Sequence, residues 1–386
     1  MKRDSGRKPS MGDVAAAVGV SKTTISRYLH GEYGYMSDET KARIEAAIKE
    51  LGYRPNRMAQ GLKSTVSNMV GVTIADIGNP FSSQMLKGIQ QELRARDIQL
   101  LVSDSNNDPA IERANIEALL DAQVDGLIVN TVGGNDAYLT AYCTGGEPKP
   151  MVMLDRFVRP LVCDCVATNN HEATVEMLDH VAAQGFSHVV FVTRSDRGVS
   201  TRSIRREAVE RYLAGRGTSG GGASADGVLG DGTSGDVSLD EGALSGEVLV
   251  YDGGVDDLRA RLAAVVGERG VGRVCLFANN EESMRDVMEA MSELDGERGH
   301  VGVCAFADER WARYSGEGIT CLDQQPVLMG RTVAKALLAR TYDGGDDEAS
   351  VAEAIAVDGV VVAARNDGHL LCEVPAQLHI HASTRL

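Results

Sequence analysis

From Val70 onwards, the chain alternates short apolar runs with longer amphipathic segments. The apolar runs are VGVTIA, IQLLVS, VDGLIVN, PMVMLD, CVATNN, HVVFVT, GEVLVY, RVCLFAN and VGVCAF. Apolar residues recur at helical spacing near 82–95, 109–122, 171–185, 203–214, 255–266, 281–294 and 328–342. A regular alternation of buried strands and helices predicts parallel sheets that are covered by helices on both faces. This part of the chain is therefore predicted to be α/β and doubly wound.

Residues 1–66 show three short helical patterns instead of this alternation. Ser10, Ser21 and Ser37 stand where helix N-caps are expected. Gly19 is placed to end the first helix, because glycine adopts a positive φ without strain. Two short helices joined by a tight turn and braced by a third are typical of a helix-turn-helix. The chain is therefore predicted to begin with an all-α domain.

Charge is divided unequally between these two parts. Residues 1–66 hold 12 Lys and Arg against 7 Asp and Glu, a net charge of +5, whereas the whole chain carries −16. The remaining 320 residues therefore carry −21. This division predicts that the N-terminal part binds a polyanion that the rest of the chain repels.

The second predicted helix, KTTISRYLH, has the features of a DNA-reading helix. Ile25 and Leu29 are four residues apart and are expected to face inward, which leaves a polar outer face near the helix N-terminus. Ser21 and Thr24, with the first helical N–H groups, suit contacts to phosphates. The residues expected on the outer face, towards base edges, are Lys22, Thr23, Ser26 and Arg27.

In the α/β part, parallel sheets bind ligands beyond the carboxyl ends of their strands. Carboxylates, amides and guanidiniums beside an aromatic ring are the groups that recognise a small polar solute such as a sugar. The candidates at the predicted strand ends are Asp76, Asn79, Phe81, Asp104, Asn130, Asp155, Arg156, Asn169, Asn280, Asp308 and Gln324.

Other features limit the functional classes. No uninterrupted apolar window is long enough for a membrane span, and the basic N-terminus is followed by no apolar signal segment. The seven cysteines form no metal-binding spacing, so we expect reduced thiols, a cytoplasmic protein, and no metal or other cofactor. The sequence also lacks a P-loop, a dinucleotide-binding glycine motif and a nucleophile elbow.

The N-terminal part carries the motifs D-V-A-x-x-x-G-V-S-x-x-T-I-S-R, S-D-E-T-x-x-R-I and L-G-Y-R-P-N-x-x-A. These motifs resemble the DNA-binding domain of the lactose-repressor (LacI/GalR) family. The resemblance implies that Lys22, Thr23 and Arg27 contact base edges of near-palindromic operator DNA. The segments YGYMSDET and STRSIR resemble the ketodeoxygluconate-type branch of that family.

Pro55 is followed by NRMAQGLKS, which predicts a short helix capped by Asn56. A helix of about two turns is marginal by itself, and a glycine weakens it further. The resemblance implies that this hinge helix folds only on operator DNA. There it would insert Leu62, beside Ala59, into the minor groove. A plain flexible linker is the alternative interpretation.

Motifs later in the chain extend the resemblance: DIGNPFSSQMLKGI, QVDGLIV, FANNEES and AFADERWARYSGEGITCLDQ. They imply a core of two lobes like a type I periplasmic sugar-binding protein, with a ligand-binding arginine at Arg205. The cluster Arg156, Arg202 and Arg205 would suit a ligand with a carboxylate, such as a sugar acid. Asn280 and Ala305 replace the family's usual acid and glycine, which leaves the effector's identity open.

The predicted domains follow from these assignments. They are a helix-turn-helix domain at 1–56, a hinge helix at 57–66 and a core at 67–386, with lobe 1 at about 67–166 and 327–346, lobe 2 at about 167–325 and 352–386, and crossings near 167, 326 and 352. Residues 215–246 hold 11 glycines and predict a disordered insertion.

The resemblance implies a homodimeric transcriptional regulator, expected to be a repressor of carbohydrate genes. A sugar or sugar-acid effector bound between the lobes would control it, as inducer or as corepressor. Two alternatives are a cytosolic α/β enzyme and a sugar-binding protein that acts on a small carbohydrate. The missing catalytic motifs oppose the first alternative, and the attached DNA-binding domain opposes the second.

Overall fold

The computed structural model describes residues 9–29, 31–34, 36–54, 66–146, 148–215, 244–269, 273–292, 301–344, 348–356, 360–364 and 368–385. The chain divides into two compact units, the head (Met1–Ser67) and the core (Asn68–Leu386). The head is helical. The core contains two parallel-sheet α/β lobes, so the predicted fold class is confirmed.

The helices of the head are α1 (Met11–Val18), α2 (Lys22–Leu29) and α3 (Asp38–Leu51). The Oγ atom of Ser10 accepts a hydrogen bond from the Asp13 N–H at 3.3 Å, and that of Ser37 accepts one from the Thr40 N–H at 3.2 Å. Gly19 ends α1 with φ 75°, in the left-handed region that was predicted for it.

Three fully buried side chains, Val14, Ile25 and Ile44, fix the packing of the head because each helix contributes one of them. A hydrogen bond between α3 and α1 also supports this small apolar core. The Arg43 guanidinium donates to the Val18 carbonyl at 2.5 Å, so α3 satisfies a carbonyl at the exposed end of α1.

The core contains thirteen strands within its described residues. They are β1 (Met69–Ile74), β2 (Gln99–Asp104), β3 (Gly126–Val129), β4 (Met151–Leu154), β5 (Asp164–Thr168), β6 (His188–Thr193), β7 (Ser245–Val250), β8 (Val274–Ala278), β9 (Gly302–Phe306), β10 (Thr320–Asp323), β11 (Val361–Ala364), β12 (Leu370–Val374) and β13 (Gln377–His379). Lobe 1 is built on the sheet β11-β12-β5-β4-β3-β1-β2, and lobe 2 on the sheet β13-β10-β9-β8-β6-β7. Only the pairs β11–β12 and β10–β13 are antiparallel in these sheets.

Helices cover both faces of each sheet. They are α4 (Pro80–Ala95), α5 (Pro109–Asp121), α6 (Asp136–Thr144), α7 (Asn170–Ala183), α8 (Ser200–Gly215), α9 (Val255–Arg269), α10 (Glu281–Ser292), α11 (Glu309–Ala312), α12 (Pro326–Tyr342) and α13 (Glu348–Ile355). Strand β3 shows the two-sided burial, because Ile128 packs in one apolar cluster of lobe 1 while Leu127 and Val129 pack in the other. This is the doubly wound arrangement that continuous apolar runs predict.

The chain crosses between the lobes three times within its described residues. It enters lobe 2 after β5, returns to lobe 1 with α12, and re-enters lobe 2 between β12 and β13. The third crossing lies near Pro375 and not near 352 as predicted, because β11 and β12 add to the lobe 1 sheet beside β5. The predicted insertion at 215–246 is shorter at both ends, since α8 reaches Gly215 and β7 starts at Ser245. Residues 216–243 lie outside the described part.

Two glycines allow the backbones of α4 and α12 to pack in direct contact. A Cβ atom on Gly88 would lie 2.1 Å from the Val327 carbonyl oxygen, and one on Gly330 would lie 2.0 Å from the Met85 carbonyl oxygen. Neither position therefore accepts a side chain unless the helices move apart.

We expect Gly330→Ala to destabilise the core by about 1–3 kcal/mol, because the methyl group forces two packed helices apart. Gly267→Ala is a matched control in α9, where an added Cβ meets nothing within 4 Å. That change is expected to stabilise the chain by about 0.5–1 kcal/mol. Calorimetric unfolding of both variants tests the difference. Equal melting temperatures would show that the α4–α12 contact is not tight.

Candidate functional site

The outward face of α2 is polar and basic. Lys22, Thr23 and Arg27 are exposed and Ser26 is half-buried, whereas Ile25 on the opposite face is fully buried. Ammonium, guanidinium and hydroxyl groups near the start of a helix are those that read base edges in a major groove. The geometry of α2 thus suits the base contacts that the sequence predicts.

Ser21 and Thr24 are engaged with each other at the start of α2. The Ser21 Oγ atom accepts a hydrogen bond from the Thr24 N–H at 3.1 Å, and the two hydroxyls lie 2.9 Å apart. This cap holds the first turn, whose N–H groups suit a phosphate. The other predicted DNA-binding positions, Asn56, Ala59 and Leu62, lie outside the described residues, as does the predicted hinge helix up to residue 65.

A cleft between the lobes lies at the carboxyl ends of strands from both sheets. Lobe 1 contributes Asn79 and Phe81 from the start of α4, and Asp155 and Arg156 from the end of β4. Lobe 2 contributes residues of α8 and of the segments that follow β8, β9 and β10. The cleft has about 640 Å³ of empty space, part of which is open to solvent. This is enough for a small solute.

Arg205 is the most deeply buried cation of the cleft, with only 3% of its surface exposed. Its Nε donates to the Asn170 side-chain oxygen at 2.7 Å, and its Nη1 donates to the Asn279 carbonyl at 2.6 Å. The guanidinium also stacks 3.6 Å from the centre of the Phe306 ring. Burial lowers the pKa of Arg205, but a guanidinium remains charged at neutral pH.

Two buried acceptors in the cleft have no hydrogen-bond partner in the described part of the chain. They are Oδ1 of Asp155 and Oδ1 of Asn279. Asp155 is 6% exposed and Asn279 is 1% exposed. Burial raises the pKa of the Asp155 carboxyl, while the nearby Arg156 and Arg205 lower it. A buried acceptor without a donor is unfavourable, so both atoms suit hydroxyl groups of a ligand.

Arg156 and Arg202 bring two more guanidiniums to the cleft from opposite lobes. Arg156 donates to the Thr131 carbonyl at 3.3 Å, and its Nε lies 3.8 Å from the Asp155 carboxylate. Arg202 donates to the Ser195 carbonyl at 2.9 Å. Burial lowers the pKa of Arg202, and repulsion from Arg156 lowers it further. Arg156 and Arg202 thus line the same cleft from opposite lobes, and Arg202 also lies 3.9 Å from the Glu282 carboxylate.

The other acidic groups of the lining are already engaged by protein donors. Glu281 accepts a hydrogen bond from the Asp308 N–H at 2.9 Å. Asp308 pairs with the Arg310 guanidinium and caps α11, and Asp323 accepts from the Gln325 N–H at 2.8 Å. The lining therefore holds three guanidiniums and four carboxylates, and among these carboxylates Asp308 is paired with Arg310 outside the lining.

The structure brings most of the predicted effector residues together. Those that line the cleft are Asn79, Phe81, Asp155, Arg156, Arg202, Arg205, Asn280, Asp308 and Gln324. Of these, Asn79 and Asn280 also cap α4 and α10, because their Oδ1 atoms accept from the N–H groups of Phe81 and Ser283. Both residues therefore line the cleft while they hold the first turn of a helix.

Four predicted effector residues lie outside the lining of the cleft. The carboxylates of Asp76 and Asp104 accept from N–H groups of the β1–α4 loop. Asn130 is buried, where it donates to the Leu154 carbonyl at 2.9 Å and accepts from the Ala75 N–H. Asn169 accepts from the Ala376 N–H at 2.8 Å and so joins two of the three crossings. Each side chain satisfies backbone groups at a strand end.

The lining also contains residues that the sequence did not single out. They are Val199, Thr201, Asn279, Glu281, Phe306, Ala307, Asp323 and Pro326. Most are direct neighbours of predicted residues. Asn279 precedes Asn280 and Asp323 precedes Gln324, so an extension of each predicted strand end by one residue would have found them. Phe306 gave no such signal, because as the last residue of β9 it resembles core.

Two further kinds of feature are absent from the described residues. No helix there is long and apolar enough to span a membrane. No group of three or more His, Cys, Asp or Glu side chains is arranged there to hold a metal ion.

Comparison with protein-family models matches both units of the chain. Residues 10–56 match the model of bacterial regulatory proteins of the lacI family. Residues 70–343 match the model of a periplasmic binding protein domain. The first match covers the three helices of the head, and the second covers most of the two lobes.

Curated relatives match nearly the whole chain. The HTH-type transcriptional regulator PtxS of Pseudomonas plecoglossicida is 33% identical over 86% of this chain and 88% of its own length. The HTH-type transcriptional regulator KdgR of Bacillus subtilis (strain 168) is 32% identical over 88% of this chain and 93% of its own length. These relatives are transcriptional regulators.

Among solved structures, the lac repressor dimer bound to operator and the anti-inducer ONPF has the same fold. Its TM-score is 0.73 at 21% identity, over 98% of this chain and 100% of that chain. The fold, the two matched domains and the relatives agree. This chain belongs to the lacI family of bacterial regulatory proteins.

Proposed function

We propose that this chain is a transcriptional regulator that binds near-palindromic operator DNA as a homodimer and responds to a sugar acid. The exposed basic face of α2 would read base edges in the major groove, and two symmetric heads would read the two half-sites. The proposal places the protein in the cytoplasm, in contact with the chromosome, and gives the core a regulatory role and no catalytic one.

One observation carries the proposed effector class. The cleft combines three guanidiniums, Arg156, Arg202 and Arg205, with two buried acceptors that lack donors, on Asp155 and Asn279. A carboxylate matches the guanidiniums, and hydroxyl groups match the acceptors. A polyhydroxy acid supplies both on one small molecule. The relative KdgR is named as a transcriptional regulator, which agrees with the proposed role of the whole chain.

A neutral sugar is the second candidate, because the resembling fold is used for many carbohydrates. It would satisfy the acceptors on Asp155 and Asn279 but bring no counter-ion to Arg205, whose hydrogen bonds go to the uncharged Asn170 side chain and Asn279 carbonyl. Removing a charged partner from a buried site is costly, so the neutral ligand fits less well. The charge of the ligand is therefore the property to test.

The first experiment is selection of bound duplexes from a random DNA pool by the purified chain. We expect enrichment of a near-palindromic site of about 16–20 base pairs, because a symmetric dimer presents two recognition helices. The selection is repeated with sugar acids present, in case binding needs a corepressor. Absence of any enriched site under both conditions would contradict the proposed DNA-binding role.

Arg27→Ala is expected to relax specificity at one base pair in each half-site and to cost about 1–3 kcal/mol in operator binding. The reason is that a guanidinium donating to a guanine edge discriminates that base from the others. Anisotropy titrations against duplexes changed one base pair at a time measure this effect. An equal loss of affinity for every duplex would assign Arg27 to a phosphate.

The effector class is tested with D-gluconate, 2-keto-D-gluconate, 2-keto-3-deoxy-D-gluconate and D-galacturonate, alongside D-glucose and D-galactose. We expect at least one acid to change operator affinity in an anisotropy titration and both neutral sugars to have little effect. Equal potency of an acid and its neutral counterpart would overturn the carboxylate proposal.

Arg202→Gln should weaken binding of the active acid by about 10- to 100-fold, since a hydrogen bond to a charged group contributes about 1.5–3 kcal/mol. Arg211→Gln removes the same charge from the exposed side of the same helix, outside the cleft, and is the matched control. Isothermal titration of the acid with both variants gives the comparison. Equal affinities would remove Arg202 from the effector site.

A further inference from the structure

Two loops, one from each lobe, meet at the backbone of two glycines. Residues 131–135 follow β3 in lobe 1, and residues 195–199 precede α8 in lobe 2. A Cβ atom on Gly133 would lie 2.7 Å from the Arg197 carbonyl oxygen and 2.8 Å from the Gly198 carbonyl carbon. One on Gly198 would lie 2.8 Å from the Gly134 nitrogen. The loops therefore touch at a distance that leaves no room for a side chain.

The lobe 1 loop is held rigidly by a buried acid. Glu112 is fully buried and accepts hydrogen bonds from the Val132 N–H at 3.1 Å, the Thr131 hydroxyl at 3.1 Å and the Asn135 amide at 2.7 Å. Three bonds to one carboxylate fix both ends of a short loop. Gly133 is thereby presented to lobe 2 in one position.

The lobe 2 loop is held from both sides as well. Ser195 donates to the Asp252 carboxylate through its hydroxyl at 3.0 Å. Arg206 pairs with Asp196 at 2.9 Å, which ties the loop to α8. The two glycines therefore join loops that are each held in place by hydrogen bonds or ion pairs. A shift of one loop must either move the other loop or break the contact between them.

Each loop is also bonded to one cationic side chain of the cleft. Arg156 donates to the Thr131 carbonyl of the lobe 1 loop at 3.3 Å. Arg202 donates to the Ser195 carbonyl of the lobe 2 loop at 2.9 Å. The guanidiniums that would hold an anion therefore also hold the two loops that meet at Gly133 and Gly198.

We propose that Gly133 and Gly198 form a latch between the lobes, and that an anion bound between Arg156 and Arg202 stabilises the latched arrangement. Both guanidiniums line the same cleft, one from each lobe, so an anion that contacts both would bond the two lobes to each other. The latch itself rests only on the described geometry. Its control by an anionic effector rests on the proposed function. The effector then binds the latched core more tightly than the open core. This difference in affinity shifts the equilibrium towards the latched core.

The chain offers a matched pair of variants for the test. Gly133 and Gly134 both have positive φ, 88° and 78°, so alanine is strained by a similar amount at each. A Cβ on Gly134 meets only the Pro109 side chain, at 3.7 Å, whereas one on Gly133 meets the backbone of lobe 2. The difference between Gly133→Ala and Gly134→Ala therefore isolates the contact between the lobes.

The first readout is hydrogen–deuterium exchange of the full-length chain without any effector. Gly133→Ala should speed exchange in residues 195–199 of the opposite lobe by about fivefold or more, because opening exposes those amides. Gly134→Ala should leave that segment unchanged. Gly198→Ala, which opens the contact from the other side, should speed exchange in residues 131–135. Equal exchange in residues 195–199 for the two lobe 1 variants would overturn the latch.

The second readout is the concentration of each of the four sugar acids that half-maximally changes operator binding. Gly133→Ala should raise that concentration about tenfold, and Gly134→Ala should leave it within about twofold of the parent chain. An unchanged concentration in Gly133→Ala would overturn control of the latch by the effector. If no acid acts on the parent chain while the exchange result holds, the latch is supported and the proposed effector class is overturned.

Discussion

The cleft is organised around a charge that the core buries almost completely. Arg205 has 3% of its surface exposed, and it is held by Asn170, by the Asn279 carbonyl and by the face of Phe306. These contacts satisfy hydrogen-bonding groups, but none of them is a counter-charge. The nearest acid, Asp155, is itself buried and is shared with Arg156. A buried cation with incomplete compensation is the physical ground for the proposal that the effector is an anion.

The polar residues at the strand ends differ in whether they face the cleft. Polar side chains at a strand end can either satisfy the local backbone or face a ligand. Asn130 and Asn169 satisfy backbone groups, which fixes strand ends and crossings. Asn280 serves both purposes, since its oxygen caps α10 and the residue lines the cleft. The cleft is consequently lined by side chains whose positions are set before any ligand arrives.

The sequence predicts the parts of the structure that follow a repeating rule. Parallel strands buried on both sides form continuous apolar runs, so β1 to β9 and most of the helices between them could be predicted, although α6 between β3 and β4 was missed. The last strands follow no such rule. Strands β11 and β12 are joined antiparallel and return to lobe 1 after the helical region, so the third crossing near Pro375 has no local signal. Phe306 was missed for a similar reason, because a buried aromatic residue at a strand end has the same pattern whether it faces core or ligand.

The distribution of charge over the chain separates its two binding tasks. Residues 1–66 carry +5 and the rest carries −21, so the field of the core opposes any anion at long range. Beyond about 8 Å, physiological salt screens most of that repulsion. Inside the cleft the screening is weak, so the charges that count are the local ones, including Arg156, Arg202 and Arg205. Under the proposed function, a small anion that enters the cleft meets these guanidiniums, whereas a DNA duplex is too large to enter and meets only the repulsive surface. On that proposal, the same core accepts an anionic effector while DNA is left to the basic head.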